Sequence, residues 1–246
     1  MAPENHPDMP ARALGPAELL TPSRPFTPDE RQALWALACQ PGRAGMSAAL
    51  DLLHLGDLSL TVPTGSAIAA WLLAGRAWRA AAGWTLVFGC TLGLVAASKI
   101  AFLGWDAGVP ALQFKALSGH ATGFALAFPT LCHVLAARLA PAMRRAVTGT
   151  ALALAAVVAA ALVHAGEHTP AEATAGWLIG IGAFVCAVRL THDAPPAPRP
   201  VALACAIAAF IATAWAIRSL PVGYWLIKLA LLLSGNHAPF PWDQDG

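Results

Sequence analysis

Three groups of polar residues in the middle of the chain could carry acid–base or nucleophilic chemistry. Lys99 comes first, a Ser-Gly-His sequence follows at 118–120, and His168 and Glu172 stand four residues apart further along. On a helix, positions i and i+4 are neighbours, so the Glu172 carboxylate should lie beside the His168 imidazole. A carboxylate in that place orients one ring nitrogen and leaves the other able to act as a nucleophile or a base.

The Ser-Gly-His sequence is suited to binding an anion. A helix that begins at Ser118 and Gly119 presents unpaired backbone N–H groups and the positive end of the helix dipole, which together favour phosphate. His120 stands at the same helix start, and Lys99 adds a fixed positive charge. Lys115 and His164 are nearby in sequence and are further candidate cations. These residue types indicate a binding site for an anion such as phosphate beside a nucleophile or base, and we expect no metal or other cofactor there.

The chain as a whole is too apolar for a soluble protein. Of its 246 residues 57% are hydrophobic and only 11% are charged, whereas ordinary soluble domains contain about 25% charged residues. Disorder is excluded by the same apolar content. A net charge of +2 provides no basic patch for nucleic acid, so we expect membrane lipids, and not nucleic acid, as partners.

Six uncharged windows each have about the 20 residues that a helix needs to cross a bilayer. Backbone polar groups must be satisfied within each segment there, which favours helices. We predict an all-α fold, a polytopic membrane helical bundle with about six transmembrane helices, over 58–75, 80–98, 116–137, 146–166, 173–188 and 200–217. A seventh apolar stretch, 220–235, is interrupted by Lys228 and is expected to lie at the membrane interface.

This pattern divides the chain into three parts. Residues 1–56 form a tail with interfacial amphipathic helices, 57–219 form the six-span domain, and 220–246 form an interfacial helix and a tail. Arginines concentrate in alternate loops, and the positive-inside rule assigns those loops to the cytoplasm. They are Arg76, Arg79, Arg138, Arg144, Arg145, Arg189 and Arg199. The polar groups described above should therefore face the periplasm or exterior of a bacterial inner membrane.

Three stretches of this sequence resemble the type 2 phosphatidic acid phosphatase superfamily, which includes lipid phosphate phosphatases and vanadium haloperoxidases. The family pattern has a Lys with Arg-Pro seven residues later, then Pro-Ser-Gly-His, then Ser-Arg, five residues, His, three residues and Asp. Here Lys99 precedes ALSGHA at 116–121, and GEHTPAEATAGWLIG follows at 166–180. The resemblance covers roughly residues 55–190.

The resemblance implies a role for each matching residue. His168 would attack phosphorus and form a phosphohistidine, Glu172 would orient it, and His120 would protonate the leaving alcohol. Phosphate would be held by Lys99, Ser118 and Gly119. Lys115 and His164 would replace two arginines of the family pattern that this sequence lacks. The implied activity is hydrolysis of a lipid phosphomonoester or pyrophosphate at the extracytoplasmic face, with the lipid phosphate as the substrate partner.

The sequence departs from the family pattern at four places. Asp106-Ala107 stands in place of Arg-Pro, Ala161-Leu162 in place of Ser-Arg, and Leu117 in place of Pro, while Glu172 replaces the usual Asp. Arginine binds phosphate bidentately, and loss of one preorganised donor of this kind costs on the order of 3 kcal/mol in the barrier. Two missing guanidiniums predict a slow enzyme.

Other interpretations remain open at this point. The missing arginines favour a non-catalytic member that binds a lipid or a partner. A transporter is a further alternative, but no span shows paired Gly/Pro breaks in two halves. His164 and His168 are four residues apart, a spacing that metal ligands can have, and Glu167 lies between them. A dedicated third ligand is lacking, so no metal is expected.

Overall fold

The structure, a computed structural model, describes residues 57–191 and 200–241. Within these ranges the chain is all-α and contains no β-strand, as predicted. Seven α-helices follow one another: α1 Leu58–Ala74, α2 Trp78–Trp105, α3 Gly119–Leu135, α4 Pro141–His164, α5 Pro170–Thr191, α6 Pro200–Ile217 and α7 Val222–Ser234. Short 3-10 segments occupy Pro110–Leu112 and Ala136–Arg138. The helices predicted within 1–56 lie outside the described residues.

Helices α2 to α6 are long and apolar enough to cross a membrane, and their lengths run from 18 to 28 residues. Helix α1 is a shorter apolar helix of 17 residues, about 25 Å long and near the lower limit for a span. Helix α7 has 13 residues. The predicted all-α membrane bundle is confirmed, and the chain is an integral membrane protein.

Some helices begin or end at capping residues and not at the ends of the uncharged windows that predicted the spans. Helix α2 continues past Lys99 to Trp105, because lysine has good helix propensity and a single charge does not end a helix. It ends where Asp106 adopts a left-handed conformation with φ of 51°. Helix α3 begins at Gly119 and not at 116, because the Ser118 side chain accepts a hydrogen bond from the Ala121 N–H and caps it.

Two apolar clusters hold the bundle together. One lies among α1, α2 and α5 around Trp84, whose indole N–H donates to the Gly65 carbonyl at 2.8 Å. The other lies between α3 and α4 and includes Phe124, Val158 and Leu162. The second cluster is directly continuous with the start of α3, because Ala121 belongs to it.

Helix α5 approaches α3 closely at two glycines. A Cβ atom at Gly176 would lie 2.7 Å from the Ser118 carbonyl oxygen, and one at Gly180 would lie 2.6 Å from the Thr122 carbonyl oxygen. Such distances leave no room for a side chain, so the two backbones pack directly against each other, as small residues permit between membrane helices. This contact holds the start of α5 beside the start of α3.

Helix α7 packs against the last turns of α2. The Asn236 side-chain amide donates to the Gly104 carbonyl at 2.7 Å, and the Phe240 N–H donates to the Leu103 carbonyl at 3.0 Å. Ala230 is fully buried in this contact. The C-terminal helix therefore covers the end of α2 that carries Lys99.

Candidate functional site

Four helix ends meet at one end of the bundle and bring the polar residues together. Leu117, just before α3, donates its N–H to Ser98 Oγ on α2 at 3.0 Å. The His168 N–H, just before α5, donates to the Leu162 carbonyl at the end of α4 at 3.4 Å. The Ser118 N–H donates to the Glu172 carbonyl on α5 at 3.4 Å. Residues far apart in sequence thus form one site.

His168 and Glu172 are hydrogen-bonded side chain to side chain. His168 Nδ1 lies 3.0 Å from Glu172 Oε2, and the two side chains are only 9% and 3% exposed. In the tautomer with the proton on Nδ1, the ring donates to the carboxylate and Nε2 carries the lone pair. The contact expected from the four-residue spacing is present, and it defines Nε2 as the ring atom that can attack.

The Glu172 carboxylate accepts hydrogen bonds from two sequence segments. Oε1 accepts from the backbone N–H of Lys115 at 2.9 Å and of Ala116 at 3.4 Å. Oε2 accepts from the Thr169 N–H at 3.3 Å as well as from His168. These four hydrogen bonds replace the hydration that an ionised carboxylate loses when it is buried. Glu172 therefore joins the segment before α3 to the segment before α5.

Thr169 and Glu172 form a capping box at the start of α5. Thr169 Oγ1 accepts from the Glu172 N–H at 3.3 Å, and the Glu172 carboxylate accepts from the Thr169 N–H at the same distance. In a capping box the side chain of a Glu or Gln accepts a hydrogen bond from the backbone N–H of the N-cap residue. This motif accounts for Glu172 at a position where the family that the sequence resembles has Asp. The signal is Thr-Pro-Ala-Glu at 169–172, a capping-box pattern that can be read from the sequence.

His120 and Lys99 complete the site. The ring centroids of His120 and His168 are 6.3 Å apart. Lys99 Nζ is 4.0 Å from the place that a Cβ atom would take at Gly119, and it lies within electrostatic range of the Glu172 carboxylate. Ser118 is completely buried. An ammonium group, the first turn of α3 and two imidazoles are thus collected within a small volume.

Two further predicted residues have different surroundings. His164 is exposed as the last residue of α4, and its side chain forms no hydrogen bond or ion pair with any residue that the structure describes. Lys115 is half-buried, and its backbone N–H binds Glu172. Within 57–191 and 200–241, no three potential ligand side chains gather as a metal site would require.

Asp106 and Leu162 stand where the family that the sequence resembles has arginine, and their surroundings differ greatly. Asp106 is exposed after the end of α2. Leu162 is 1% exposed and belongs to the apolar cluster between α3 and α4. The backbone of Leu162 nevertheless touches the site, because its carbonyl accepts the N–H groups of Glu167 and His168 at 3.1 and 3.4 Å.

The chain has a sequence relative among known proteins. The chain is 35% identical over 126 residues to an uncharacterized 22.5 kDa protein in the cps region of Klebsiella pneumoniae. The aligned stretch is 51% of this chain and 60% of the relative, so the chain spans about three fifths of that protein. No family model and no solved structure matches the sequence.

The capping box makes a prediction about stability. We expect Thr169→Ala to lower the free energy of unfolding by about 1 kcal/mol, because the Glu172 N–H at the start of α5 loses its acceptor. Thr169→Ser keeps the hydroxyl and should match the wild type. SDS-induced unfolding of purified protein, followed by circular dichroism, measures both variants. Equal unfolding of Thr169→Ala and wild type would contradict the assignment.

Proposed function

We propose that this chain is a membrane phosphatase that hydrolyses a lipid phosphomonoester or pyrophosphate through a phosphohistidine intermediate. The observation that carries the proposal is the His168–Glu172 pair, joined at 3.0 Å with the His120 ring centroid 6.3 Å from that of His168. A nucleophile, its orienting carboxylate and a second acid–base group are the three parts that such a reaction needs. The sequence resemblance to the type 2 phosphatidic acid phosphatases points to the same chemistry.

The first step transfers the phosphoryl group to the enzyme. The lone pair on His168 Nε2 attacks phosphorus, and the bond between phosphorus and the lipid oxygen breaks. His120, in its protonated form, donates a proton to that oxygen, so the lipid leaves as a neutral alcohol, or as a lipid monophosphate when the substrate is a pyrophosphate. The Glu172 carboxylate stabilises the positive charge that develops on His168.

The second step releases phosphate. Water attacks phosphorus while the now neutral His120 takes a proton from it, and the bond between phosphorus and Nε2 breaks. Charge spread over the phosphoryl oxygens is met by the Lys99 ammonium and by the backbone N–H groups at the start of α3. Both imidazoles return to their starting protonation states, so the enzyme is regenerated.

The position of the site in the bundle supports the proposed substrate class and membrane side. The site is at one end of a bundle of apolar helices, where we expect lipid headgroups to lie. Six arginines lie at or near the opposite ends of these helices: Arg76, Arg79, Arg138, Arg144, Arg145 and Arg189. By the positive-inside rule, that end faces the cytoplasm, and the site faces the periplasm or exterior of a bacterial inner membrane.

The proposal is tested by phosphate release from a panel of lipid phosphates. Detergent-purified protein would be assayed on phosphatidic acid, phosphatidylglycerophosphate, an isoprenyl pyrophosphate and a lipid A phosphate. We expect turnover of at least one of them. Absence of phosphate release from all four by folded protein would contradict the proposed activity.

The chemistry of the site predicts how inhibitors act. Because the two histidines carry the phosphoryl group and the proton, we expect activity to remain within about twofold after EDTA treatment. Orthovanadate, which adopts the geometry of the phosphoryl transition state, should inhibit strongly, since enzymes bind such analogues at least about a hundredfold more tightly than substrates. Dose–response curves for both reagents check this. Loss of activity in EDTA that zinc or magnesium restores would contradict the assignment.

A second candidate is a phosphatase-like protein that binds a lipid or a partner without turnover. Leu162 and Asp106 favour it, because an apolar side chain and a negative charge occupy the two positions where the resembling family has phosphate-binding arginines. This candidate predicts that lipid phosphates bind but are not hydrolysed. Equilibrium binding of the same four lipids, measured beside phosphate release, separates it from the first.

A further inference from the structure

Ser98 joins α2 to the segment that precedes α3. Its hydroxyl donates to the Val95 carbonyl on its own helix at 3.0 Å and accepts the Leu117 N–H, also at 3.0 Å. The second bond links residues 19 positions apart in sequence. One half-buried hydroxyl therefore ties the backbone just before the Ser-Gly-His sequence to the helix that carries Lys99.

The surroundings show what this bond holds in place. At Gly119, two residues after Leu117, an added Cβ atom would lie 3.4 Å from Val95 Cγ1 and 4.0 Å from Lys99 Nζ. Val95, Ser98 and Lys99 lie three and four residues apart on α2, so they share one face of the helix. The Ser98 bond therefore lies beside the place where the first turn of α3 approaches the Lys99 ammonium.

We propose that Ser98 is a positioning residue of this site, acting through the Leu117 N–H to hold the first turn of α3 against Lys99. The inference rests on the proposed function for its catalytic consequence. A buried backbone N–H without a partner is costly. Leu117 is 7% exposed and has an N–H, whereas proline at that position would have none. Ser98 supplies the acceptor that leucine requires.

Four variants test this relationship. Ser98→Ala removes the acceptor without weakening the helix, since alanine is the best helix former. Ser98→Thr keeps a hydroxyl oxygen that can bond within the helix and beyond it. Ser98→Ala combined with Leu117→Pro removes donor and acceptor together. The matched control is Thr91→Ala, because the Thr91 hydroxyl donates to the Val87 carbonyl of the same helix at 2.7 Å.

The first readout is hydrogen exchange, measured by mass spectrometry on the peptide that spans 115–121. We expect Ser98→Ala to speed exchange at the Leu117 amide about tenfold or more, because the amide loses its acceptor. Ser98→Thr and Thr91→Ala should exchange like the wild type. Unchanged exchange in Ser98→Ala would overturn the proposal, whether or not the protein hydrolyses lipid phosphates.

The second readout is orthovanadate affinity and kcat/KM on the best lipid substrate. We expect Ser98→Ala to lose about tenfold in each, Ser98→Thr to stay within about threefold, and the double variant to recover most of the loss, since proline leaves no unpaired donor. A loss in Ser98→Ala no larger than in Thr91→Ala would overturn the positioning role. If the wild type lacks turnover, the proposed function fails, while exchange and vanadate affinity still decide the role of Ser98.

Discussion

Replacing His168 with alanine should reduce lipid phosphate hydrolysis at least about a thousandfold, because the reaction loses the atom that attacks phosphorus. The imidazole is hydrogen-bonded to Glu172 through Nδ1 at 3.0 Å, which leaves Nε2 as the ring nitrogen for the proposed attack. Phosphate release at saturating lipid, with wild type and variant at equal concentration, measures the loss.

His164 provides the matched control for this experiment. It is a histidine four residues earlier in the sequence, and it is exposed at the end of α4. We expect His164→Ala to keep activity within about twofold. The His164 side chain forms no hydrogen bond or ion pair with the described residues, and surface substitutions have small effects. A His168→Ala protein that folds normally and retains most of the hydrolysis would exclude His168 as the nucleophile.

Leu162→Arg should increase kcat/KM by about a hundredfold, because it adds a preorganised cation where charge develops in the transition state. The backbone of Leu162 accepts hydrogen bonds from Glu167 and His168, so a long side chain at this position starts beside the nucleophile. The same substitution should lower the unfolding midpoint, since Leu162 is 1% exposed within an apolar cluster and burial of a charge is costly.

Val158→Arg separates the gain in activity from the cost of burial. Val158 is completely buried in the same cluster, one helical turn before Leu162. We expect Val158→Arg to be destabilised without a gain in hydrolysis, because its guanidinium begins a turn further from His168. A folded Leu162→Arg protein that binds lipid phosphate with no increase in turnover would contradict the catalytic proposal and support the non-catalytic candidate.

The membrane fold could be predicted from the sequence because a bilayer imposes a simple requirement on its helices. About 20 apolar residues without charge are needed for each span, and the windows beginning near residues 80, 146 and 200 all correspond to helices. The ends of the helices were less predictable. Lys99 interrupts the apolar pattern but not helix α2, which ends only at Trp105.

The site could be predicted where its geometry is local. The four-residue spacing of His168 and Glu172 predicts their contact, although His168 lies just before α5 and meets Glu172 across the capped start of that helix. A serine followed by glycine at 118–119 predicts a helix start. The bond from Leu117 to Ser98 has no local signal, since it joins separate helices. The same holds for the close approach of Gly176 to the Ser118 carbonyl, because tertiary packing alone brings these residues together.

The proposed mechanism passes a phosphoryl group through His168. The most direct measurement is a rapid alkaline quench of wild-type protein during turnover of a lipid phosphate, followed by mass spectrometry of its peptides. Alkaline conditions are chosen because phosphohistidine is labile in acid. Phosphate covalently attached to His168, and absent from the His168→Ala protein, is the predicted result. Turnover with no phosphorylated His168 peptide, or with the phosphoryl group on another residue, would contradict the proposal.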